Sequence, residues 1–236
     1  MPYTTLNGCR FYYETHGKGP PIVFIHGENQ GPTIWEYQIG KFSKEYECIT
    51  YYRRGHGKTE LSEYGYSLEN QTQDLAELMD FLQIKKSVLV SAAFGTTIAT
   101  NFALTFPERT IGLVILGWSE LDGARSNLEK WHKQTLEIVE ALDTGGKDAI
   151  QELIRKKGKD IISILPNNPE VRKKFVELYV DRPRNGFFKR MEAVTSVPNL
   201  LSRFQELKVP ILAVYGEEDH VQELSRFSNL MPNAYE

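Results

Sequence analysis

Short apolar runs of strand length alternate along this chain with stretches whose apolar positions recur at helical spacing. Tyr3-Thr4-Thr5-Leu6 and Arg10-Phe11-Tyr12-Tyr13-Glu14 flank Asn7-Gly8, the pair that best tolerates the positive φ of a tight turn, which predicts an antiparallel edge hairpin. A turn from Gly17 to Pro21 leads into a buried strand, Ile22 to Ile25, then a helical stretch around Ile34 to Phe42 and a strand from Cys48 to Tyr52. Ser67 can cap a helix that places Leu68, Leu75, Met79 and Leu82 on one face. Val88-Leu89-Val90 is again a strand, Ile98 to Leu104 a helix, and Ile111 to Gly117 and Ile211 to Gly216 further strands. Strands joined through helices in this way predict a mostly parallel, doubly wound sheet with right-handed crossovers.

The pattern changes between about Glu120 and Leu207, where no convincing strand occurs. Leu128, Trp131, Thr135, Ile138 and Leu142 mark one amphipathic helix, and Ile150, Leu153, Ile154, Ile161 and Leu165 predict more, punctuated by Pro166 to Pro169 and Arg182-Pro183. The basic run Arg155-Lys156-Lys157-Gly158-Lys159 reads as a solvated face. The expected organisation is one α/β core from residues 1–119 and 208–236, with residues 120–207 as a helical insertion.

Composition narrows the partners. The 236 residues are 41% hydrophobic and 25% charged, enough to bury a large core. The 28 basic residues against 31 acidic ones leave a net charge of -3, which steers the chain towards neither nucleic acid nor an anionic membrane. A small-molecule substrate or ligand is the expected partner, with a monomer or homodimer as the form. Cys9 and Cys48 stand singly in strand-like runs with no metal spacing, so both read as buried free thiols, with no metal and no cofactor expected. The start Met1-Pro2-Tyr3 has neither a charged nor an apolar leader, and no apolar run reaches the length of a membrane span, so a cytoplasmic location is expected.

The chemistry concentrates at Val88 to Thr97, where a strand meets small residues and turns directly into a helix. Such a turn can push one side chain out at the carboxyl end of a parallel sheet, and its pattern is G-x-S-x-G. Placing Gly95 on the last glycine gives Ser91-Ala92-Ala93-Phe94-Gly95, with Ala93 at the position of the nucleophile. A shifted register would make Ser91 the nucleophile, but it would put Ala93 and Phe94 where the turn needs glycine.

These residues resemble the α/β-hydrolase family, and other segments share the likeness. Ile22 to Gly27 resembles the strand and His-Gly turn that carry half of the family's oxyanion hole. Arg54-Gly55-His56-Gly57-Lys58-Thr59 resembles its R-G-H-G-x-S loop, Phe106-Pro107-Glu108-Arg109 its Y-P-E-R helix exit, and Ile211 to Asp219 its strand and acid turn. The resemblance implies an α/β-hydrolase fold with an N-terminal antiparallel hairpin and a helical cap from the insertion. It assigns Ala93 to the nucleophile position, Asp219 to the acid, the backbone N–H groups of Glu28 and Phe94 to the oxyanion hole, and His26 and Gly27 to the substrate side of the turn. A carboxylate at Glu28 is awkward beside a developing oxyanion, so it is expected to point away or to serve a polar substrate group. Serine at Ser91 and Tyr52 ahead of the R-G-H-G-like loop depart from the family pattern. The family's histidine is expected one strand beyond Asp219, so the last strand, the histidine loop and the last helix are expected to be missing after Glu236. His16, His26, His56, His132 and His220 do not fill the role.

Three functions follow from the resemblance. One is a hydrolase of a small ester, lactone, amide or related substrate by a Ser-His-Asp mechanism, inactive here because Ala93 replaces the nucleophile and the histidine is absent. The second is a non-catalytic relative that keeps the pocket as a ligand receptor or interaction module. The third is chemistry carried by other pocket residues.

Overall fold

The structure is a computed structural model that describes residues 2–28, 30–117, 128–162, 165, 167–215 and 234–235. Asn7 and Gly8, at φ 46° and 69°, close a hairpin between β1 (Tyr3–Leu6) and β2 (Cys9–His16). The outer strand of this pair is an edge, and β2 continues antiparallel along β4 (Glu47–Tyr51). All further pairings are parallel: β3 (Pro21–Ile25) lies between β4 and β5 (Ser87–Ala92), followed by β6 (Thr110–Leu116) and β7 (Ile211–Val214). The order across the sheet is β1-β2-β4-β3-β5-β6-β7-β8, in which Ala234–Tyr235 form the short β8. The strand expected only beyond residue 236 therefore begins at Ala234.

Burial explains why β3 and β5 read as apolar runs. On one face Val23, Ile25, Ile49, Leu89, Leu113 and Ile115 pack under two helices, α2 (Leu68–Phe81) and α3 (Phe94–Thr105), which contribute Leu75, Met79, Ile98 and Phe102. On the other, Ile22, Phe24 and Cys48 pack against Trp35 in the 3-10 turn before α1 (Glu36–Phe42). Truncating one such fully buried leucine, Leu89 for instance, to alanine would cost about 2–5 kcal/mol. Ser67 caps α2 as its position predicts, its hydroxyl accepting the Asn70 N–H. Cys9 and Cys48 are free and fully buried, and burial pushes both thiols up.

Among the described residues, no strand lies between β6 and β7. Among the described residues, this region holds the kinked helical span α4 (Leu128–Lys157) and the helices α5 (Pro169–Val180) and α6 (Arg184–Thr195). Ile138, Ile150, Ile154, Tyr179 and Phe187 form a separate apolar cluster there, while Ala193, Val194, Val197 and Leu200 join the main core. The two helical stretches read from the sequence are two helices that meet at Gly146 within α4, where φ of 64° and ψ of -153° lie outside the helical range. Ile161 and Leu165 lie beyond α4, after a 3-10 turn at Gly158–Asp160. Among the described residues, no helix is long and apolar enough to cross a membrane.

Candidate active site

The parallel ladder carries β5 to a sharp turn at its carboxyl end. Ser91 pairs with Ile25 of β3 and Ala92 with Leu116 of β6, and the Ala93 N–H still donates to the Leu116 carbonyl at 3.1 Å. The backbone then reverses. Ala93 has φ 47° and ψ -124°, a left-handed conformation in which a Cβ costs about 1–3 kcal/mol, and α3 starts at the next residue. The Thr96 N–H and hydroxyl both donate to the Ala93 carbonyl, at 2.8 and 2.6 Å, which closes the turn.

Two glycines let this turn sit where it does. A Cβ on Gly95 would stand 2.4 Å from the Ile25 carbonyl oxygen, so only glycine allows the first turn of α3 to lie against the end of β3. A Cβ on Gly27 would stand 2.8 Å from the Ala93 Cβ and 2.8 Å from Gln30 Oε1. The tip of the β5 to α3 turn and the turn after β3 are thus in contact. Phe94, as the first residue of α3, presents a backbone N–H that has no acceptor within its own helix.

Ser91 points elsewhere: it is fully buried, and its hydroxyl donates to the Val114 carbonyl at 3.0 Å. The shifted register that would make it a nucleophile is therefore not the one the chain adopts.

His26 also differs from its expected place on the substrate side. It is 0% exposed, and both ring nitrogens are committed to backbone groups. Nδ1–H donates to the Gly27 carbonyl at 2.8 Å, and Nε2 accepts the Arg53 N–H at 2.9 Å; this tautomer follows from Nε2 facing a donor. Burial, with Arg53 and His56 nearby, holds its pKa well below the usual histidine range. A neutral ring with both nitrogens bonded to backbone pins the turn.

The Glu28 carboxylate turns away from the elbow into a buried charged cluster. Its Oε1 accepts from Arg53 Nη2 at 2.5 Å, and its Oε2 lies 3.3 Å from His56 Nε2 and 3.6 Å from Arg182 Nη1. Burial alone would raise the Glu28 pKa, but Arg53, His56 and Arg182 hold it well below the usual carboxylate range. His56 donates from Nδ1 to the Arg54 carbonyl at 2.9 Å, and burial, partly opposed by Glu28, brings its pKa down to about 4. The gap beside Glu28, His56, Gly186 and Lys189 is about 10 Å³, room for a single water.

Behind this cluster the R-G-H-G-like loop is anchored by a second buried pair. Arg54 donates to both oxygens of Asp74, from Nε at 3.0 Å and from Nη2 at 2.6 Å, and Asn7 Nδ2 donates to the same carboxylate at 3.0 Å. Asp219 and His220 lie outside the described residues. Among the described residues, no group of three or more His, Cys, Asp or Glu side chains converges as a metal site. Arg53 and Arg182 were not singled out by the sequence; the signal available was the doubled arginine directly after a buried strand.

A parallel sheet with an antiparallel N-terminal hairpin, and a strained strand-to-helix turn packed against a His-Gly turn, define the α/β-hydrolase architecture. The chain belongs to that family: the family's sequence profile, described as alpha/beta hydrolase fold, matches residues 20–235. Among curated relatives, the cis-3-alkyl-4-alkyloxetan-2-one decarboxylase of Shewanella oneidensis is 31% identical over 118 residues, 48% of this chain and 37% of that protein. The chain spans less than half the length of these curated relatives. The fold is also that of the enol-lactonase from Burkholderia xenovorans LB400, with TM-score 0.81 and 22% identity over 99% of this chain and 89% of that one. A thermophilic esterase from Thermogutta terrifontis superposes with TM-score 0.83 at 21% identity, covering 100% of this chain and 88% of that one. At these identities the two structures speak for the fold alone.

Proposed function

We propose that this chain is a small-molecule hydrolase of the Ser-His-acid design, for an ester, lactone, amide or related substrate, held in a binding-only form by Ala93. The observation that carries the reading is the conformation of Ala93. An alanine kept at φ 47° and ψ -124°, against Gly27, occupies the place from which a nucleophile would be presented. The N–H groups of Phe94 and Glu28 would receive the oxyanion, and Asp219 would orient a histidine. A methyl group has no attacking atom, so the chain as it stands turns nothing over. The relative named as a cis-3-alkyl-4-alkyloxetan-2-one decarboxylase lends support to a lactone-like acyl substrate. The competing reading, a ligand receptor without chemistry, draws on the same alanine.

The test is Ala93→Cys with p-nitrophenyl acetate. A thiolate at the N-terminus of α3 is favoured by the helix dipole and needs no histidine. Its sulfur attacks the ester carbonyl carbon, the carbonyl π pair moves onto oxygen, and collapse of that oxyanion expels p-nitrophenolate with the C–O bonding pair. The expected result is stoichiometric release of p-nitrophenolate, faster than from free cysteine when each rate is divided by its own rate of alkylation by iodoacetamide. The unsubstituted chain, with Cys9 and Cys48 buried, should release none. A folded Ala93→Cys protein with no such preference would transfer support to the receptor reading, which then predicts lactone binding without acylation.

A further inference from the structure

We propose that Arg53 is the positioning residue of the oxyanion site, a single buried guanidinium that holds both donor-bearing turns in register. The proposal rests on the reading of Phe94 and Glu28 as the donors. Those residues follow different strands, β5 and β3, so their spacing is not set by a shared helix or hairpin. Arg53 comes from a third place, the loop after β4, and touches both. Its Nη2 donates to Glu28 Oε1 at 2.5 Å, and its Cζ lies 5.0 Å from the centre of the Phe94 ring. Its own backbone N–H is bonded to His26 Nε2 at 2.9 Å, and Nη1 donates to Gln71 Oε1 of α2 at 3.1 Å. The side chain is therefore fixed at its root by the His26-Gly27 turn and at its tip by α2, with the two donor residues on either side.

A planar, rigid group suits this task better than a lysine, which has no face to lay on an aromatic ring. Arg53 is 1% exposed and cannot reach a substrate itself, so it acts through the residues it holds. Removing it leaves Glu28 without its shortest contact and the Phe94 ring without the guanidinium beside it, which loosens the spacing of the two N–H groups. Oxyanion stabilisation depends on donors aimed at one point, and a displacement of about 1 Å at such a site can cost on the order of 100-fold in rate.

The experiment compares two reactions of the same thiol in the Ala93→Cys protein. Acylation by p-nitrophenyl acetate passes through an oxyanion. Alkylation by iodoacetamide is a displacement in which the sulfur pair forms the S–C bond as iodide leaves, and it makes no oxyanion. Loss of the Arg53 charge alters the thiolate fraction in both reactions equally, so their ratio isolates the donors. Arg53→Met is expected to lower the acylation-to-alkylation ratio by about 10- to 100-fold, with Arg53→Lys falling between Arg53→Met and arginine. Should Arg53→Met fail to fold, the pair Arg53→Gln with Glu28→Gln removes the guanidinium together with the carboxylate it donates to and is expected to lower the ratio in the same range. A ratio unchanged in a folded Arg53→Met or double-glutamine protein would overturn the proposal. A ratio no higher than that of free cysteine even with Arg53 intact would instead overturn the oxyanion reading on which it rests.

Discussion

Replacing Ala93 by glycine should stabilise the protein, although the same change one residue earlier should destabilise it. At φ 47° and ψ -124° the alanine Cβ is strained by about 1–3 kcal/mol, all of which glycine relieves. Against this stand the greater freedom of glycine in the unfolded chain, about 0.4–1 kcal/mol, and part of the roughly 0.8 kcal/mol of a methyl group that is only partly buried. At mid-range values the balance is a gain of about 1 kcal/mol. Ala92 sits in regular β5, where glycine brings the entropic cost with no strain to release, a loss of about 1 kcal/mol. Urea unfolding of the two variants should show midpoints moving in opposite directions at unchanged slope. Ala93→Val provides the third point, because a β-branched residue at positive φ should be the least stable of the set. If Ala93→Gly loses as much stability as Ala92→Gly, the turn is not strained and the elbow assignment fails with it.

Three further outcomes follow from the same geometry. The His56 pKa is about 4 in the folded protein against 6.5 ordinarily, so the folded state binds fewer protons. Its contribution is complete above about pH 6.5 and is lost as the pH falls to 4, worth about 3 kcal/mol over that window. His56→Asn should show a shallower fall in unfolding free energy between those pH values; Glu28, held down by Arg53 in the folded state but not in the unfolded chain, adds its own fall at the acid end of the window in both proteins. Asp74→Ala leaves the Arg54 guanidinium buried without its carboxylate and should cost about 3–5 kcal/mol, much of it recovered in Asp74→Ala with Arg54→Met; strictly additive losses in urea would contradict the pairing. Gly95→Ala drives a Cβ to within 2.4 Å of the Ile25 carbonyl and should cost about 3 kcal/mol or more, while slowing acylation of the Ala93→Cys protein; a neutral effect on both would show that α3 is not seated against β3.

Much of the fold was legible because its causes are local. The β3 and β5 runs are apolar because parallel strands inside a sheet are covered, whereas Leu212 and Val214 of β7 are exposed; the order of the strands with intervening helices leaves right-handed crossovers as the solution. Asn7-Gly8 specifies its turn through backbone sterics, and Ser67 its cap through one hydroxyl. The position of the elbow was legible for the same reason: small residues between an apolar strand and a helical period mark where the backbone can reverse, which placed the turn at Ala93 before any contact was known.

What the side chains around the turn do was decided only by the assembled structure. His26 and Glu28 flank Gly27 in the turn after β3, and their side chains face the interior, one bonded to two backbone groups and the other to Arg53. Neither the depth of burial nor the identity of those partners follows from local pattern, since Arg53 and Glu28 are 25 residues apart and meet only because β4 pairs with β3. The kink in α4 at Gly146 is a similar case: a glycine at positive φ separates two helices, and only packing shows that both bury apolar residues in one cluster. Local sequence sets what each segment can form; long-range packing chooses which polar groups are taken out of water together, and hence which of them are left to act.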